Sequence, residues 1–445
     1  MTLRAGAAEV VMTPPIGTPL DGYGGRVGGA VGVHDDLHAR AIVVDDGATQ
    51  AAIVGCDLVG VDRRLVAMVR ERATAATGIP SGNIMVAATH THAGPAGLRR
   101  DLDEPLTEIM ARTIAGAVEA AHRGLRPAVL KAGRGSVDSV SQNRRDPAGP
   151  FDDALRVLLL DSPDPRDGAI AAIVNFACHP TVLFGTNMLI SADYPGHAVR
   201  TVQQVVGDAP VVFLNGACGD VNPAWVEQCH DEARRVGTIV GAEAARRLQE
   251  LRPLGNQHKV WTIRWDELSD KPVTSGTLVE PRVAVRSREV AVPLRRLYPP
   301  AWYDAKLAEL EREREPAAAL GAEPLRRVME QVVRYRAERG VAERIRIGDE
   351  PRYAHPEVQA IRLGDGCAIL GLPGEFFVET GRAIQAAAAL PHLLVACYAN
   401  HYVGYLVPRH AFTEGGYEPG VAMIDETAEE TLRNAAVDLV RDVGA

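Results

Sequence analysis

The sequence predicts an α/β fold: a mixed, largely parallel central sheet flanked by helices, with a charged helical and strand insertion. Three observations support this. An amphipathic helix over residues 61–77 lies between apolar strands, and a shorter helix over 197–206 separates the apolar runs 169–176 and 210–214. Strands joined by a crossover helix pair in parallel. The third observation is the stretch 301–339, whose Arg- and Glu-rich pattern indicates solvated helices outside the sheet.

The composition is that of an ordinary globular protein. The chain has 445 residues, of which 46% are hydrophobic and 24% charged, and its net charge of -9 argues against a nucleic-acid partner. No run approaches the length of a membrane span, and the first residues lack the apolar segment of a signal peptide. The six cysteines form no CxxC motif, which is typical of reduced thiols. We therefore expect a cytoplasmic protein.

The first 60 residues predict strands and loops. Two apolar runs separated by Asp45-Asp46-Gly47 indicate a hairpin. The glycine-rich loop over residues 21–33 lacks the GxGxxG spacing and precedes no helix, which disfavours a nucleotide site. It is either a loop beside the substrate or a long turn. After the helix over 61–77, residues 83–89 form a strand that ends in the motif THTHAGPAG.

The remaining elements follow in order. We expect strands near 128–132, 155–160 and 260–265 and from 283 to 294, and helices over 106–123, 231–251, 301–314 and 324–339. From residue 357 a hairpin, a helix to 390, a strand and a terminal helix follow. We interpret residues 1–445 as a single domain, within which 253–356 form an inserted, lid-like subdomain. No internal repeat is apparent in the sequence.

Polar residues cluster where the two central strands end. In open α/β sheets ligands bind at this edge. The residues expected on one rim are His179, Asp193, Asn215, Asp220 and Asn222.

His90 and His92 are the sharpest local signal. Residues i and i+2 of an extended strand point to the same side, so both imidazoles can approach one point. Such a pair suits a zinc site, a zinc ligand with a neighbouring acid–base group, or two hydrogen-bonded histidines. Asp36 and His38 offer a competing metal cluster.

Three further residues are ambiguous alone. Glu375, in LPGEFF, lies between a strand and a helix, where its carboxylate can point into a site or interact with the helix dipole. Tyr405, in NHYVGY, and Tyr417, in GGYE, would pass as ordinary tyrosines.

Together these motifs are more specific. THTHAGP, ACHP with ISADYPG, NGACGDVNP, PGEFF and NHYVGY followed by GGYE occur in an order that resembles the neutral (non-lysosomal) ceramidases, over nearly the whole chain. The resemblance implies one zinc ion per chain. The ligands that it implies are His90, His179, Glu375 and Tyr405.

The resemblance also implies roles around the metal. It places His92 beside the ion, Tyr417 at the substrate carbonyl and Arg144 near the substrate head group. Zinc with an open position lowers the pKa of bound water to about 7, and donors such as His92 and Tyr417 can stabilise an oxyanion. A neighbouring His or Asp, for which Asp193 is a candidate, must deliver a proton to the leaving amine.

We therefore expect a zinc-dependent hydrolase of a linear, N-acyl amide. Asn215, Asp220 and Asn222 are expected to bind the substrate. A zinc esterase or lactonase on the same scaffold and a non-catalytic small-molecule-binding protein are the alternatives. A TIM-barrel amidohydrolase is disfavoured, because its HxH motif lies near the first strand.

The substrate is expected to be smaller and more polar than ceramide. The ceramidases carry a further C-terminal β-sandwich domain and a serine where this chain has Asn222, and residues 301–339 are charged with few aromatics. The expected partner is a small-molecule amide, lipid-like in the resemblance, and both a homo-oligomer and a monomer remain open.

Overall fold

A computed structural model describes residues 3–164, 167–252, 257–261, 268–272, 277–345 and 352–444. The chain forms three units with the same order of elements: an outer strand, an antiparallel hairpin, a crossover helix, a strand parallel to the hairpin, and a second helix. Most helices and strands lie where the periodicity of the sequence predicts them. The repeated order is a finding that the sequence does not reveal, because the units share topology and not residues.

The first unit has the sheet order β5-β4-β3-β1-β6. Its elements are β1 (Arg4–Val11), β2 (Gly32–Val33), β3 (His38–Asp45), β4 (Gln50–Cys56), α1 (Arg63–Thr77), a 3-10 turn (Ser81–Asn83), β5 (Ile84–Ala88), α2 (Glu104–Arg123) and β6 (Arg126–Pro127). Asp62 caps α1 by accepting from the Arg64 amide, and Gly78, with φ of 78°, ends it.

The second unit has the order β12-β10-β9-β7-β16. Its elements and the three strands that follow are β7 (Val129–Ser136), β8 (Ser141–Asn143), β9 (Ala154–Asp161), β10 (Ala169–Phe176), β11 (Leu189–Ile190), α3 (Asp193–Val206), β12 (Val211–Asn215), β13 (Val221–Pro223), α4 (His230–Leu251), β14 (Gln257–Trp261), β15 (Leu268–Pro272) and β16 (Thr277–Val279). Helix α4 packs closely on α3, since a Cβ at Gly237 would lie 2.4 Å from the Tyr194 carbonyl oxygen.

The third unit has the order β17-β20-β21-β23. Its elements are β17 (Pro281–Glu289), β18 (Val292–Pro293), α5 (Pro300–Leu320), α6 (Ala322–Ile345), β19 (Tyr353–Ala354), β20 (Glu357–Gly364), β21 (Cys367–Gly371), β22 (Glu375–Phe376), α7 (Val378–Ala388), β23 (His392–Ala396), β24 (Tyr405–Leu406), α8 (Arg409–Glu414), α9 (Tyr417–Val421) and α10 (Ala428–Gly444).

The inner faces of the three sheets meet in one central core. Along β3, Ile42 and Val44 point into that core, whereas the alternating Val43 points to the helices outside. Ile173 of β10 and Ile369 of β21 enter the same core from the other sheets. Burying a side chain of this size stabilises the fold by roughly 1.5–3 kcal/mol. The shared core therefore fixes the three sheets, and with them their strand ends, relative to one another.

The α/β class and the mixed sheets are confirmed, but two details of the prediction are wrong. Three sheets replace one central sheet, and within them parallel pairing is confined to β4–β5, β10–β12 and β21–β23 among the described strands. The reason is the connections. In each of these pairs a single helix crosses over from one strand to the next, whereas short turns join the hairpin strands and impose antiparallel pairing.

The charged helices lie between β17 and β20. Helices α5 and α6 pack on each other, and α6 also packs against α9. Arg295 links α6 to α9, since it donates to Glu338 of α6 at 2.9 Å and to the Pro419 carbonyl of α9 at 2.7 Å. Strands β16 and β17, in the stretch expected to be inserted, belong to the second and third sheets. The strand predicted at 260–265 lies largely outside the described residues, and the lid-like role stays a prediction.

Candidate metal centre

Strand ends of the three units converge on one buried point. His90 follows β5 of the first unit, His179 follows β10 of the second, and Glu375 opens β22 directly after β21 of the third. All three side chains are buried. His90 has φ of 72°, a left-handed conformation that a non-glycine residue adopts at a cost. The surrounding structure imposes this backbone, and it directs the imidazole toward the other two residues.

The donor atoms lie within reach of one ion. The Nε2 atom of His179 lies 3.1 Å from Oε2 of Glu375, and Nε2 of His90 lies 3.5 Å from the same oxygen. His92 joins them, with its Nε2 atom 3.1 Å from that of His90. One nitrogen from each of the three histidines lies within 4.8 Å of the others. The structure thus groups His92 with the ligands predicted from the sequence.

Backbone carbonyls select the tautomer of both histidine ligands. Nδ1 of His90 lies 2.6 Å from the Val59 carbonyl oxygen, and Nδ1 of His179 lies 2.6 Å from that of Cys218. A carbonyl can only accept, so each Nδ1 carries a proton, and the tautomer selected for the neutral form of each ring has its lone pair at Nε2. At Glu375 these lone pairs face a carboxylate oxygen. Acceptors in such contact need a cation between them, either a proton or a metal ion.

The electrostatics of the site disfavour a proton. Burial, with a contribution from nearby Arg144, lowers the pKa of His179 to about 4. Burial also holds the pKa of His92 well below its usual value. Burial alone would raise the pKa of Glu375, but His90 and His179 hold it well below its usual range. Near neutral pH the site therefore combines the neutral imidazoles of His92 and His179 with the ionised carboxylate of Glu375, donors that a metal centre uses.

Two tyrosines that the sequence analysis missed support this cluster. The Tyr402 hydroxyl donates a hydrogen bond to Oε1 of Glu375. The Tyr398 ring stacks on His90 with ring centroids 3.9 Å apart. Both lie in the segment between β23 and β24, a few residues before Tyr405. The clustering of tyrosines in YANHYVGY was the available signal.

Tyr405 and Arg144 form the adjoining part of the site. Tyr405 is the register partner of Glu375 in the β22–β24 pair, and its hydroxyl accepts from Nη2 of Arg144 at 2.9 Å. Arg144 also donates to Glu418 at 2.7 Å and to Asn222 at 3.2 Å. Asn222, which was expected to bind substrate, therefore helps to orient the guanidinium.

Tyr417 lies at the open side of this group. It is the first residue of α9, it is 55% exposed, and its ring lies 5.9 Å from that of Tyr405. The structure thus brings Tyr405, Arg144 and Tyr417 together, as the resemblance implies. Their exposure increases from the metal cluster outward, so a substrate would meet Tyr417 first.

Three predicted residues lie behind the site. Both carboxylate oxygens of Asp193 accept backbone amides, from Leu183 at 2.9 Å and Tyr194 at 2.6 Å. Asn215 is fully buried, and Asp220 accepts from the Val378 amide at 2.7 Å. These side chains are engaged with the protein itself, which gives them a positioning role.

A loop of the first unit covers His92. The Tyr23 ring contacts the His92 ring with centroids 5.0 Å apart, and Arg26 donates to the His92 carbonyl at 2.6 Å. Gly22, with φ of 96°, lies so close that a Cβ would come 2.5 Å from Cγ of His92. The glycine-rich loop is therefore a wall of the site.

The competing cluster predicted at Asp36 and His38 does not form. Asp36 accepts from Thr13 at 2.8 Å, and His38 faces Glu9 at 3.4 Å. Asp36 precedes β3 and His38 is its first residue, so the two side chains contact different partners.

The fold and the site define a class: an α/β protein with a buried histidine and carboxylate cluster at the strand ends of three sheets. The family model for "Neutral/alkaline non-lysosomal ceramidase, N-terminal" matches residues 4–257, more than half of the chain. The chain belongs to this family.

Individual relatives agree over most of the chain. The neutral ceramidase of Pseudomonas aeruginosa is 24% identical, over 94% of this chain and 68% of that protein. The neutral ceramidase of Mycobacterium tuberculosis is also 24% identical, over 90% of this chain and 70% of that protein. The crystal structure of the Pseudomonas enzyme superposes with a TM-score of 0.74 at 22% identity, over 99% of this chain and 74% of that one, which establishes the shared fold.

Proposed function

We propose that this protein is a zinc-dependent hydrolase that cleaves a linear N-acyl amide with water as the nucleophile. The observation that carries the proposal is the contact between the Nε2 lone pairs of His90 and His179 and the Oε2 atom of Glu375. Relatives named neutral ceramidases support the choice of an amide as the bond that is cleaved.

His90, His179 and Glu375 would hold the ion, with Tyr405 as the fourth ligand and His92 beside them. The donor set fits zinc, because imidazole nitrogens and a carboxylate oxygen are ligands that zinc accepts. One zinc ion per chain is expected. When bound, zinc supplies a water of lowered pKa and polarises a carbonyl group.

The protein's own groups complete the reaction. Arg144 and Tyr417 lie together at the open side, where they can donate to the oxygen of the scissile carbonyl. His92 presents a neutral imidazole next to the cluster, from which it can carry a proton to the leaving amine. Glu418 and Asn222 hold Arg144 in place. A partly buried, fixed guanidinium needs little reorganisation during the reaction, which favours catalysis.

The surroundings fit an amphiphilic substrate with a polar end. A cavity of 1230 Å³ extends from Arg144, Asn222 and Tyr417 to the charged helix α6, where Arg326 and Glu330 line it. Next to Tyr23, whose ring contacts His92, the half-exposed Phe184 ring packs at 5.4 Å between centroids. We propose that a polar group binds toward α6 and a short acyl chain toward Phe184.

The metal assignment is tested by ligand substitution. His90→Ala, His179→Ala and Glu375→Ala should each lose zinc and hydrolysis together, and His410→Ala, on an exposed helix, should retain both. Elemental analysis of the purified variants measures the metal. Stoichiometric zinc in all three ligand variants would reject the assignment.

The substrate class is tested by two comparisons. Matched amide and ester substrates separate an amidase from the alternative esterase or lactonase, and a protein that binds but cleaves neither would be a non-catalytic homologue. A series of N-acyl chain lengths then tests substrate size. We expect kcat/KM to be higher for short or soluble amides than for long-chain ceramide, whereas a rise of about tenfold per two added methylenes would indicate a lipid pocket.

A further inference from the structure

A second cluster of metal-binding side chains lies away from the metal centre. His34 and Asp35 directly follow β2, and His197 lies in the first turns of α3. One ligand atom from each of these three residues lies within 4.8 Å of the others. His230, the first residue of α4, adds a fourth candidate, since its ring stacks on His34 with centroids 3.8 Å apart.

Asp35 is held rigidly in place. One of its oxygens accepts from the Ser191 hydroxyl at 2.6 Å and from Nδ1 of His34 at 2.8 Å, and the other accepts from the Ala192 amide at 2.9 Å. Nδ1 of His34 and this carboxylate oxygen therefore lie side by side, and an ion that replaces the proton between them would be held by both donors.

The other two histidines carry unused buried nitrogens. Nε2 of His197 and Nδ1 of His230 are both shielded from solvent and have no hydrogen-bond partner among the described residues. A buried polar atom left without a partner is rare, and it points to a ligand or water at that place. Nδ1 of His197 accepts from Arg200, so its Nε2 carries the proton, and the signs of an ion are the converging donors and the unsatisfied Nδ1 of His230.

A protein cation already reaches into the cluster. Arg200 lies 2.9 Å from Nδ1 of His197 and 3.6 Å from Asp35, and its side chain is 39% exposed. A guanidinium at this place shows that the cluster attracts positive charge. Being exposed, Arg200 can swing into solvent and free Nδ1 of His197 as a ligand. A metal ion and Arg200 would therefore compete for the same donors.

We propose that His34, Asp35 and His197, with His230 alongside, form a second and weaker site for a divalent transition-metal ion of the zinc class. Imidazole donors suit zinc, whereas calcium and magnesium prefer all-oxygen sites. Ligands of zinc at 2.0–2.2 Å lie about 3.4 Å apart, so the cluster must contract by roughly 1 Å, which the one-third exposed His34 permits.

The site is connected to the loop that carries His90 and His92. Ser191 donates to Asp35 through its hydroxyl, and its carbonyl oxygen accepts from the Thr91 hydroxyl at 2.8 Å. Occupancy would therefore stabilise the segment between β11 and α3 and the histidine loop behind it. The proposal does not depend on the hydrolytic activity proposed above.

Metal titration tests the proposal. The full-length protein is stripped with chelator and titrated with zinc chloride against a chromophoric chelator, and with Co²⁺, whose absorption spectrum reports nitrogen ligands. Two classes of site are expected, a tight one and a weaker one. His34→Gln and His197→Gln should each weaken only the second class, by more than about 10-fold, since loss of a direct ligand costs at least as much as loss of a group that orients one.

The controls separate the two sites. His90→Ala should abolish only the tight class, His410→Gln should change neither, and Arg200→Ala should strengthen the weaker class because the competing cation is gone. Circular dichroism in chelator checks that each variant is folded. A single class of site in the wild-type protein, or a weaker class that survives in both His34→Gln and His197→Gln, would overturn the proposal.

Discussion

The Tyr402 hydroxyl offers a direct test of how the metal centre is held. It donates to Oε1 of Glu375, and both side chains are buried. Burial and the adjacent Glu375 carboxylate raise the pKa of Tyr402, so the phenol stays protonated and donates. Tyr402→Phe leaves a buried carboxylate oxygen without this donor. A hydrogen bond to a charged group contributes about 1.5–3 kcal/mol, so we expect zinc affinity to fall roughly 10- to 100-fold.

Tyr398→Phe is the matched control. Tyr398 is buried in the same segment, but among the described residues its hydroxyl contacts the Cys218 thiol alone, at 3.3 Å. Its ring stack on His90 survives the substitution. Zinc affinity should change by less than about threefold, because a thiol is a weak partner. The assay is competition with a chelator of known affinity, with unfolding in excess chelator as the measure of fold stability. Equal affinities for the two variants would refute the reasoning that Tyr402 acts through Glu375.

Three further substitutions test the site. Gly22→Ala should reduce turnover at least about 10-fold, because the added Cβ displaces His92. Gly24→Ala is the control and should leave turnover unchanged, since no described atom lies within 4 Å of its added Cβ. Equal turnover in the two variants would contradict the packing argument. His92→Ala should keep zinc while turnover falls roughly 100-fold, and loss of the metal would place His92 among the ligands. Asp193, whose pKa burial raises to about 7, contributes stability that is full below about pH 4 and is lost as the pH rises through 7. In urea unfolding of the apo-protein, the free energy of unfolding of the wild type should therefore fall by about 1.4 kcal/mol per pH unit between pH 5 and 7 relative to that of Asp193→Asn. Parallel plots of this free energy against pH for the two proteins would refute the argument.

The sequence predicted the crossover helices and the strand ends well, because each has a clear apolar period. The helix expected at 61–77 is α1 (Arg63–Thr77), and the strand expected at 210–214 is β12 (Val211–Asn215). Once those ends were located, His90 and His179 were visible as polar residues at the edge where ligands bind. The positions suggested by the motifs converge in space, whereas their chemical roles stay predictions.

The number and polarity of the sheets could not be predicted in the same way. Apolar alternation shows that a strand has buried faces, but it does not show which other sheet covers them. The supporting contacts were missed for a related reason. Tyr402 and Tyr398 act on ligands that lie far away in sequence, and nothing local distinguishes them from core tyrosines. The predicted cytoplasmic location remains a prediction.

The metal centre depends on the way the three units are joined. The units have the same topology, yet the first provides His90 after β5, the strand that follows its crossover helix, whereas the second and third provide ligands after the hairpin. No unit therefore contains a site of its own. Asn215 joins them at this point: its side-chain amide donates to the Thr89 carbonyl at 3.1 Å, and its side-chain oxygen accepts from the Cys178 amide at 3.4 Å. Thr89 and Cys178 immediately precede the two histidine ligands, so a single buried side chain ties the two ligand-bearing segments together. The spacing of the donors is thus a property of the contacts between units, which explains why it is visible in the structure and not in any one motif.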